Sequence, residues 1–523
     1  MEVSDINYYH VPTPTTEIMY RTGQEQGQVL DALFTLNFSK RLNLSIAYRG
    51  LRSLGQYRRS LASSGNFRTT LSYKTPKDQY TLRAHITTQD FTNQESGGLT
   101  DVMVQNFTNN DPNFLERSRL DVNLSDAENT LEGTRVFIDH TYKLFSGKDS
   151  LTSKDFINLK LGHVLTYEQK TYTFTQGSPA TVFFGDAYAS KSIEEETEYV
   201  ITNNQGYLEF NSKYILGKFK VKANYTDVIY GYDSIYNPST PQKTIGLAGQ
   251  GVSLGASWNG TLGNLKINAD ANIAPGSGHL AGNNFKGEAL YEKDSTFSIR
   301  ASVLLNSKAP SFNYQLFQSV YTAYNWTNDF TNVETRDIGF KFVSKWGNAS
   351  LHLTNIEDYT YFNQNSQPAQ HDGAITYLKV KVNKAFKFGK FALNNTMMYQ
   401  NVSSGSSVFR VPELVTRNTV YYMDDWFRGD PLLVQIGATF NYFSNYKANA
   451  YDPLLAEFRL QDDTEIGFPS VDVFFNARVK RTRIYFQIDN VTSGFTKKNY
   501  FSAPNYPYRD FSIRFGLVWN WFI

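Results

Sequence analysis

The chain closes on FSIRFGLVWNWFI, Phe511 to Ile523. Phe511, Ile513, Phe515, Leu517, Trp519 and Trp521 share one parity, while Ser512, Arg514, Gly516 and Asn520 share the other. Such period-two alternation marks a β-strand with one apolar and one polar face. Mean hydropathy over the whole chain is negative, −0.43. A strand that ends such a chain with an apolar face needs an apolar neighbour, either a protein core or lipid.

Upstream the same device repeats. Leu30, Ala32, Phe34, Leu36 and Phe38 alternate with Asp31, Thr35, Asn37 and Ser39. Beyond the Lys40-Arg41 turn, Leu42, Leu44, Ile46 and Tyr48 alternate with Asn43, Ser45 and Arg49. Phe219, Val221, Ala223 and Tyr225 oppose Lys218, Lys220, Lys222 and Asn224. Leu265, Ile267, Ala269, Ala271 and Ile273 oppose Lys266, Asn268, Asp270 and Asn272, the cleanest case in the chain. Short turns, such as TPKD (75–78) and TLGN (261–264), separate paired segments. Longer polar connections span 92–130, 176–197, 308–332, 363–372, 403–413, 451–466 and 492–508. Short connections at one end and long ones at the other are the pattern of a transmembrane β-barrel, here of about 22 strands within a range of roughly 16–22. The stretches 15–22, 176–214 and 308–332 are ambiguous.

Lipid is the better apolar neighbour. A soluble sandwich shares its apolar faces between two sheets of short strands. Here strand after strand carries an apolar face, and the opposite face is Lys, Asn, Asp, Ser, Thr or Arg, which suits a water-filled lumen. In a bilayer every backbone polar group must be paired within the protein, and a closed barrel is the sheet solution because it leaves no edge. Tyr48, Tyr73, Tyr80, Tyr225, Tyr291, Tyr399, Trp346 and Trp426 lie near segment ends, where interfacial girdles form.

Composition narrows the function classes. The chain has 523 residues and no linker that divides it. Lys plus Arg is 51 and Asp plus Glu 49, so net charge gives no reason to invoke nucleic acid. Cys is absent, which removes disulfides, thiolate metal sites and Cys nucleophiles. No apolar run of about 18 residues marks a transmembrane helix. The opening MEVSDINYYHVPTPTTEI lacks a basic stretch followed by an apolar one, so it reads as a periplasmic lead-in (1–14) to a barrel over 15–523, in a chain trimmed of its precursor start.

The block YYHVPTPTTEIMYRTGQEQGQVLDALFTLNFSKRLNLSIAYRGLRSLGQYRRS (8–60) resembles the putative porin family of outer-membrane β-barrels from Bacteroidetes. FTNQESGGLTD (91–101), RSRLDVNLSDAENTLEGTRVFIDHTYKLF (117–145) and RFGLVWNWFI (514–523) are similar in the same order, so the resemblance covers essentially the whole chain. It implies an outer-membrane location and passive diffusion of solutes. Barrel assembly signals often end on an aromatic residue, whereas this chain ends Trp521-Phe522-Ile523.

Motifs for chemistry are absent. His10, His85, His140, His163, His279, His352 and His371 fall in no metal-ligand spacing. His85 and His352 lie on polar parity; His163 lies on apolar parity between Leu161 and Leu165, which suggests an interfacial position or a bulge. SIEEETE (192–198) reads as a solvated charge run rather than a Ca²⁺ loop, because it lacks the DxDxDG scaffold. GLAGQGVSLG (246–255) continues as a strand with no helix after it, so it is no dinucleotide loop. No GxSxG occurs, and neither an enzyme nor a cofactor is expected.

The candidate pore lining is Arg49, Arg68, Lys218, Lys220, Lys222, Lys266 and Asp270, all on polar parity. Arg49, Arg52, Arg58, Arg59 and Arg68 cluster around one hairpin, and a cationic ring would favour anions weakly. The alternative is that these charges pair with Asp and Glu across strands. Phe515, Leu517, Trp519, Trp521 and Phe522 form the closing strand that the barrel assembly machinery would read. The connections 92–130 and 308–332 are long enough to fold inwards, with an extracellular cap as the alternative. The sequence thus predicts an outer-membrane porin, monomeric or homo-oligomeric, for small hydrophilic solutes. Its rivals are the barrel of a TonB-dependent or substrate-specific transporter and a non-conducting structural or assembly-partner barrel.

Overall fold

The computed structural model describes the chain except residues 24, 149–154, 234–245, 277, 294–296, 428, 430–431, 497 and 523. Twenty-two antiparallel strands form one sheet, and the first, Thr15–Gly23, pairs with both the second, Gly27–Ser39, and the last, Ser512–Phe522. The sheet is therefore a closed barrel. The ambiguous stretch 15–22 is its first strand, 176–214 contains strand Ile193–Ser212, and 308–332 is mostly connection.

Connections at the end where the chain enters and leaves the wall are tight, as at 40–41, 263–264, 345–346 and 480–481. Those at the other end include 96–126, 309–332, 358–374, 444–468 and 490–511. In membrane barrels the long-loop end is extracellular. Strands Ala127–Lys148 and Asp155–Gln176 are 22 residues each, roughly 70 Å along the strand, so one flank of the wall stands well beyond the bilayer.

The parity read from the sequence holds in the register. Ala223 lies opposite Leu254, Leu254 opposite Ile273, and Leu351 opposite both Phe340 and Val380. Leu254 is 62% and Ile273 60% exposed, an outward apolar face that only lipid would cover. The inward face carries Thr35, Asn43, Ser45, Thr70, His85, Asn129, Arg135 and Asn224, all buried among their neighbours. Apolar-out and polar-in is the inverse of a soluble core.

Strand alternation also splits the SIEEETE run. Glu194, Glu196 and Glu198 are exposed, while Glu195 is buried on the inner side. Among the described residues no group of three or more His, Asp or Glu gathers for a metal ion. His163 faces outwards opposite His140, with Nε2 of His140 3.1 Å from Nδ1 of His163, two residues along the strand from the Tyr80–Tyr142 pair. A bulge follows at Lys143–Phe145. One rung towards the tight-turn end the outward residues are Tyr80 and Tyr142 with Leu161, so this histidine pair stands beside two tyrosines of the kind that form interfacial girdles.

Candidate functional site

The lumen wall is a lattice of cross-strand ion pairs. Arg49 and Arg68 both approach Asp31, at 3.9 and 3.6 Å. Lys220 shares Glu209 with Lys160, at 3.9 and 2.9 Å, and Lys222 bonds Asp270 at 2.7 Å. Lys266 pairs with Glu292, while Lys218 stands opposite Asn211 and Asn259. Arg135 donates to Glu168 at 2.7 Å, and His352 meets Asp337 at 3.0 Å. Of the early arginine cluster, Arg58 pairs with Asp121 and Arg59 donates to the Ala127 carbonyl. The expected pore-lining cations thus lie on the inner face, but most are offset by carboxylates one strand away, as for Arg49, Lys220 and Lys266, or two strands away, as for Arg68 and Lys222.

The N-terminal lead-in runs down the inside of this wall towards the tight-turn end. The Met1 carbonyl accepts from Arg135 at 2.6 Å, the Tyr8 hydroxyl lies 2.9 Å from His85 Nδ1, and Asn37 donates to the Val11 carbonyl at 2.7 Å. Arg135, His85 and Asn37 are all inward-facing. Ile6 is buried, so the segment is packed rather than merely passing. It therefore narrows one side of the lumen, a role its Ile6, Tyr8 and Tyr9 in a polar setting could have signalled.

At the long-loop end the connections fold on one another and on the upper wall. Leu316, Phe317, Val320, Tyr321 and Tyr324, from 309–332, pack against inward-facing Phe174, Ile193, Tyr230 and Tyr232. Phe362 and Leu454 join them from two further connections. Burial of each large side chain stabilises the cap by roughly 1.5–3 kcal/mol. A second cluster joins Leu99, Phe107 and Leu120 to Phe468 and Tyr500, with Phe107 supplied by the helix Asp101–Thr108. Arg117 lies 4.8 Å from the Phe107 ring centre and donates to Asp510 at 2.5 Å. Ile375, Val408 and Leu460 form a third.

Three buried carboxylates tie the cap together. Glu195 accepts from the Ser319 hydroxyl at 2.7 Å and the Val320 amide at 2.8 Å. Asp452 accepts from the Tyr324 hydroxyl at 2.9 Å and from Ser366 at 2.5 Å. Glu95 accepts from Asn129 at 2.5 Å and Tyr451 at 3.1 Å. Outward residues beside Glu95 are Asp90, Thr92 and Gln94, which places it above the lipid band. Burial pushes Glu95 up to about 7 against the pull of Tyr451 and Asn129, and pushes Glu195 up to about 7 against Ser319 and Val320. The cap joins residues far apart in sequence, such as Gln176 to Tyr321, so the sequence could show only that 308–332 is rich in Tyr and Phe.

The last strand pairs with the first on one side and with Thr482–Asp489 on the other. Ile513, Phe515, Leu517 and Trp519 follow outward parity, with Leu517 opposite Tyr20 and Ile484. The backbones of Trp521 and Phe522 pair with Thr16 and Thr15; their side chains and that of Asn520 lie outside the described residues. Arg514 faces inwards and bonds Asp489.

Solved structures share this architecture. The siderophore receptor PirA from Acinetobacter baumannii superposes with a TM-score of 0.67 at 11% identity, over 99% of this chain and 82% of that one. The ferric-catecholate import receptor Fiu from E. coli gives 0.65 at 12%, over 97% and 82%. The FrpB iron transporter from Neisseria meningitidis gives 0.64 at 10%, over 100% and 83%. At such identities the likeness is one of fold. Comparison with curated proteins finds no match. A family model described as "Putative porin" matches residues 1–522, and the chain belongs to that family.

Proposed function

We propose that the protein is an outer-membrane porin through which small hydrophilic solutes cross by passive diffusion, with a folded cap restricting the mouth. The observation that carries this reading is the inner face, polar and ion-paired around a closed wall whose outer face is apolar. Such a lumen favours water and hydrated solutes and offers no attraction to apolar ones. The pairing of Arg49, Arg68, Lys220 and Lys222 limits any anion preference of the lower lumen to a weak one. Outer-membrane lipid would cover the apolar belt, and the barrel assembly machinery would insert the chain, as a monomer or a homo-oligomer. Transport without catalysis is the role this wall serves.

A second reading, a substrate-specific transporter, is favoured by strand number, since 22-stranded barrels are typically plugged and the neighbours named above are receptors and importers. Planar-bilayer recording of the purified protein separates the readings. Stable unaided steps on the order of a nanosiemens support the porin. Silence in the wild type together with steps after the cap is loosened supports the transporter, and silence in both points to a structural barrel. A reversal potential under a salt gradient reads the ion preference.

A further inference from the structure

The first strand, Thr15–Gly23, ends and the second, Gly27–Ser39, begins at the long-loop end beside the closing seam. A cavity of about 430 Å³ opens there between the wall and the connections 54–61 and 490–511. This is within the range of small-ligand sites, roughly 300–1,000 Å³. Arg21, Arg52, Arg509 and Arg514 line it, with Glu25. Arg509 and Arg514 both hold Asp489, whose carboxylate is 3% exposed.

Asp489 has no capacity to spare. It also accepts from Ser512 at 3.2 Å and from Gln487 at 2.9 Å. The Nε of Arg514 is buried without a hydrogen-bond partner. Among the described residues neither Arg21 nor Arg52 forms an ion pair; Arg21 stands 5.7 Å from the centre of the Tyr485 ring. That ring lies over Gly516, where a Cβ would come within 2.4 Å of it. Four arginines thus line the cavity with two carboxylates near them, one saturated and buried; Arg21 reaches it from the inward parity of its strand and Arg52 from the outward parity of its own, at the rim where the two faces meet. Planar forked donors beside an aromatic face suit carboxylate and phosphate oxygens on a hydrophilic body.

We propose that this cavity is a binding site for a small hydrophilic multivalent anion, carboxylate- or phosphate-bearing, at the outer mouth of the barrel. Anions collected there would reach the lumen at raised local concentration, since a cleft of one charge sign focuses the field. The site deepens the anion preference of the porin reading, yet its occupancy is read without any conductance, so the two fail separately.

Isothermal titration calorimetry of the purified, detergent-solubilised protein with citrate, glucose 6-phosphate and glucose tests it. At least one of the two anions binds at low ionic strength, glucose does not, and added salt weakens the binding. Citrate alone identifies a polycarboxylate site, glucose 6-phosphate alone a phosphate site, and both a site read by charge. The double variant Arg21→Gln/Arg52→Gln loses about ten-fold or more in affinity while keeping heat-modifiable migration on gels. Should the double variant fail to fold, Arg52→Gln alone serves, because its guanidinium lies in no described ion pair. Absence of binding by both anions, equal binding of glucose, or unchanged affinity in the folded variant would overturn the site.

Discussion

Ile18 of the first strand lies directly opposite Trp519 of the last, and this pairing turns an open sheet into a cylinder. Tyr20 opposite Leu517 continues it on the lipid side, while Arg21 opposite Gly516 continues it on the lumen side. The apolar terminal segment is a requirement of closure, because an unpaired strand edge in lipid leaves several backbone groups without partners.

Closure makes the last strand sensitive to charge. Phe515 faces lipid between Phe486 and Thr22, and Phe515→Asp places a carboxylate within the apolar belt at a cost of about 2 kcal/mol. Loss of assembly is expected for that variant and for deletion of 519–523, whereas Asn520→Ser assembles normally. Heat-modifiable migration reads the outcome; a truncated chain that still forms a heat-modifiable barrel would remove the closing role of these residues.

The cap should loosen without the wall unfolding. Tyr321 is fully buried and links Gln176 and the Ala180 amide to its own connection. Tyr321→Ala should weaken cap docking by roughly 3 kcal/mol, through lost burial and an orphaned Gln176. Hydrogen exchange over 309–332 accelerates and unitary conductance rises, with heat-modifiability unchanged. Equal acceleration in the wall strands would show that the cap and barrel are one cooperative unit.

Docking of the cap should depend on pH. Glu95 and Glu195 are held at about 7 in the docked cap against an ordinary 4.5, so the docked state binds more protons than a released one. Docking is strongest below about pH 4.5 and weakens as pH rises through 7. Hydrogen exchange over 309–332, corrected for the intrinsic rate, is faster at pH 8 than at pH 5. In Glu95→Gln/Glu195→Gln the difference shrinks; a cap equally protected at both pH values argues against burial as the controlling effect.

Asp489 anchors the mouth end of the seam. It gathers Arg509, Arg514, Ser512 and Gln487, and Asp489→Ala strips two guanidinium groups of their partner. Because Asp489 is buried but both guanidinium groups stay partly in water, the loss costs roughly 1–3 kcal/mol. Thermal loss of the folded gel band should therefore occur at lower temperature in Asp489→Ala, and Asp489→Asn should recover part of the difference. Identical midpoints for the three proteins would place the stability of the seam in its backbone ladder instead.

Much of the wall was legible because membrane strands obey a local rule. Leu265 to Ile273 alternates so strictly that its outward and inward faces follow from the sequence alone. The ion pairs were foreseeable only as a class: Lys222 and Asp270 are 48 residues apart, and only strand order makes them neighbours. Arg21 was hidden in the ambiguous first segment, where Met19 and Arg21 alternate with Ile18 and Tyr20 too briefly to establish a face.

The cap was not legible. Its residues sit in polar connections without a period, and their burial depends on contacts such as Ser319 with Glu195 and Tyr324 with Asp452. What the sequence by itself determined was the cylinder: strand parity, a number of strands near 22, and a terminal strand that must pair. Backbone alternation imposes these locally, because one face must meet lipid and the other water. What only the tertiary structure decided was how the two ends are furnished, with the lead-in against Arg135 and His85, the cap on Tyr230 and Tyr232, and the arginines gathered around Asp489. Those arrangements arise from long-range burial and charge compensation, which no local period encodes.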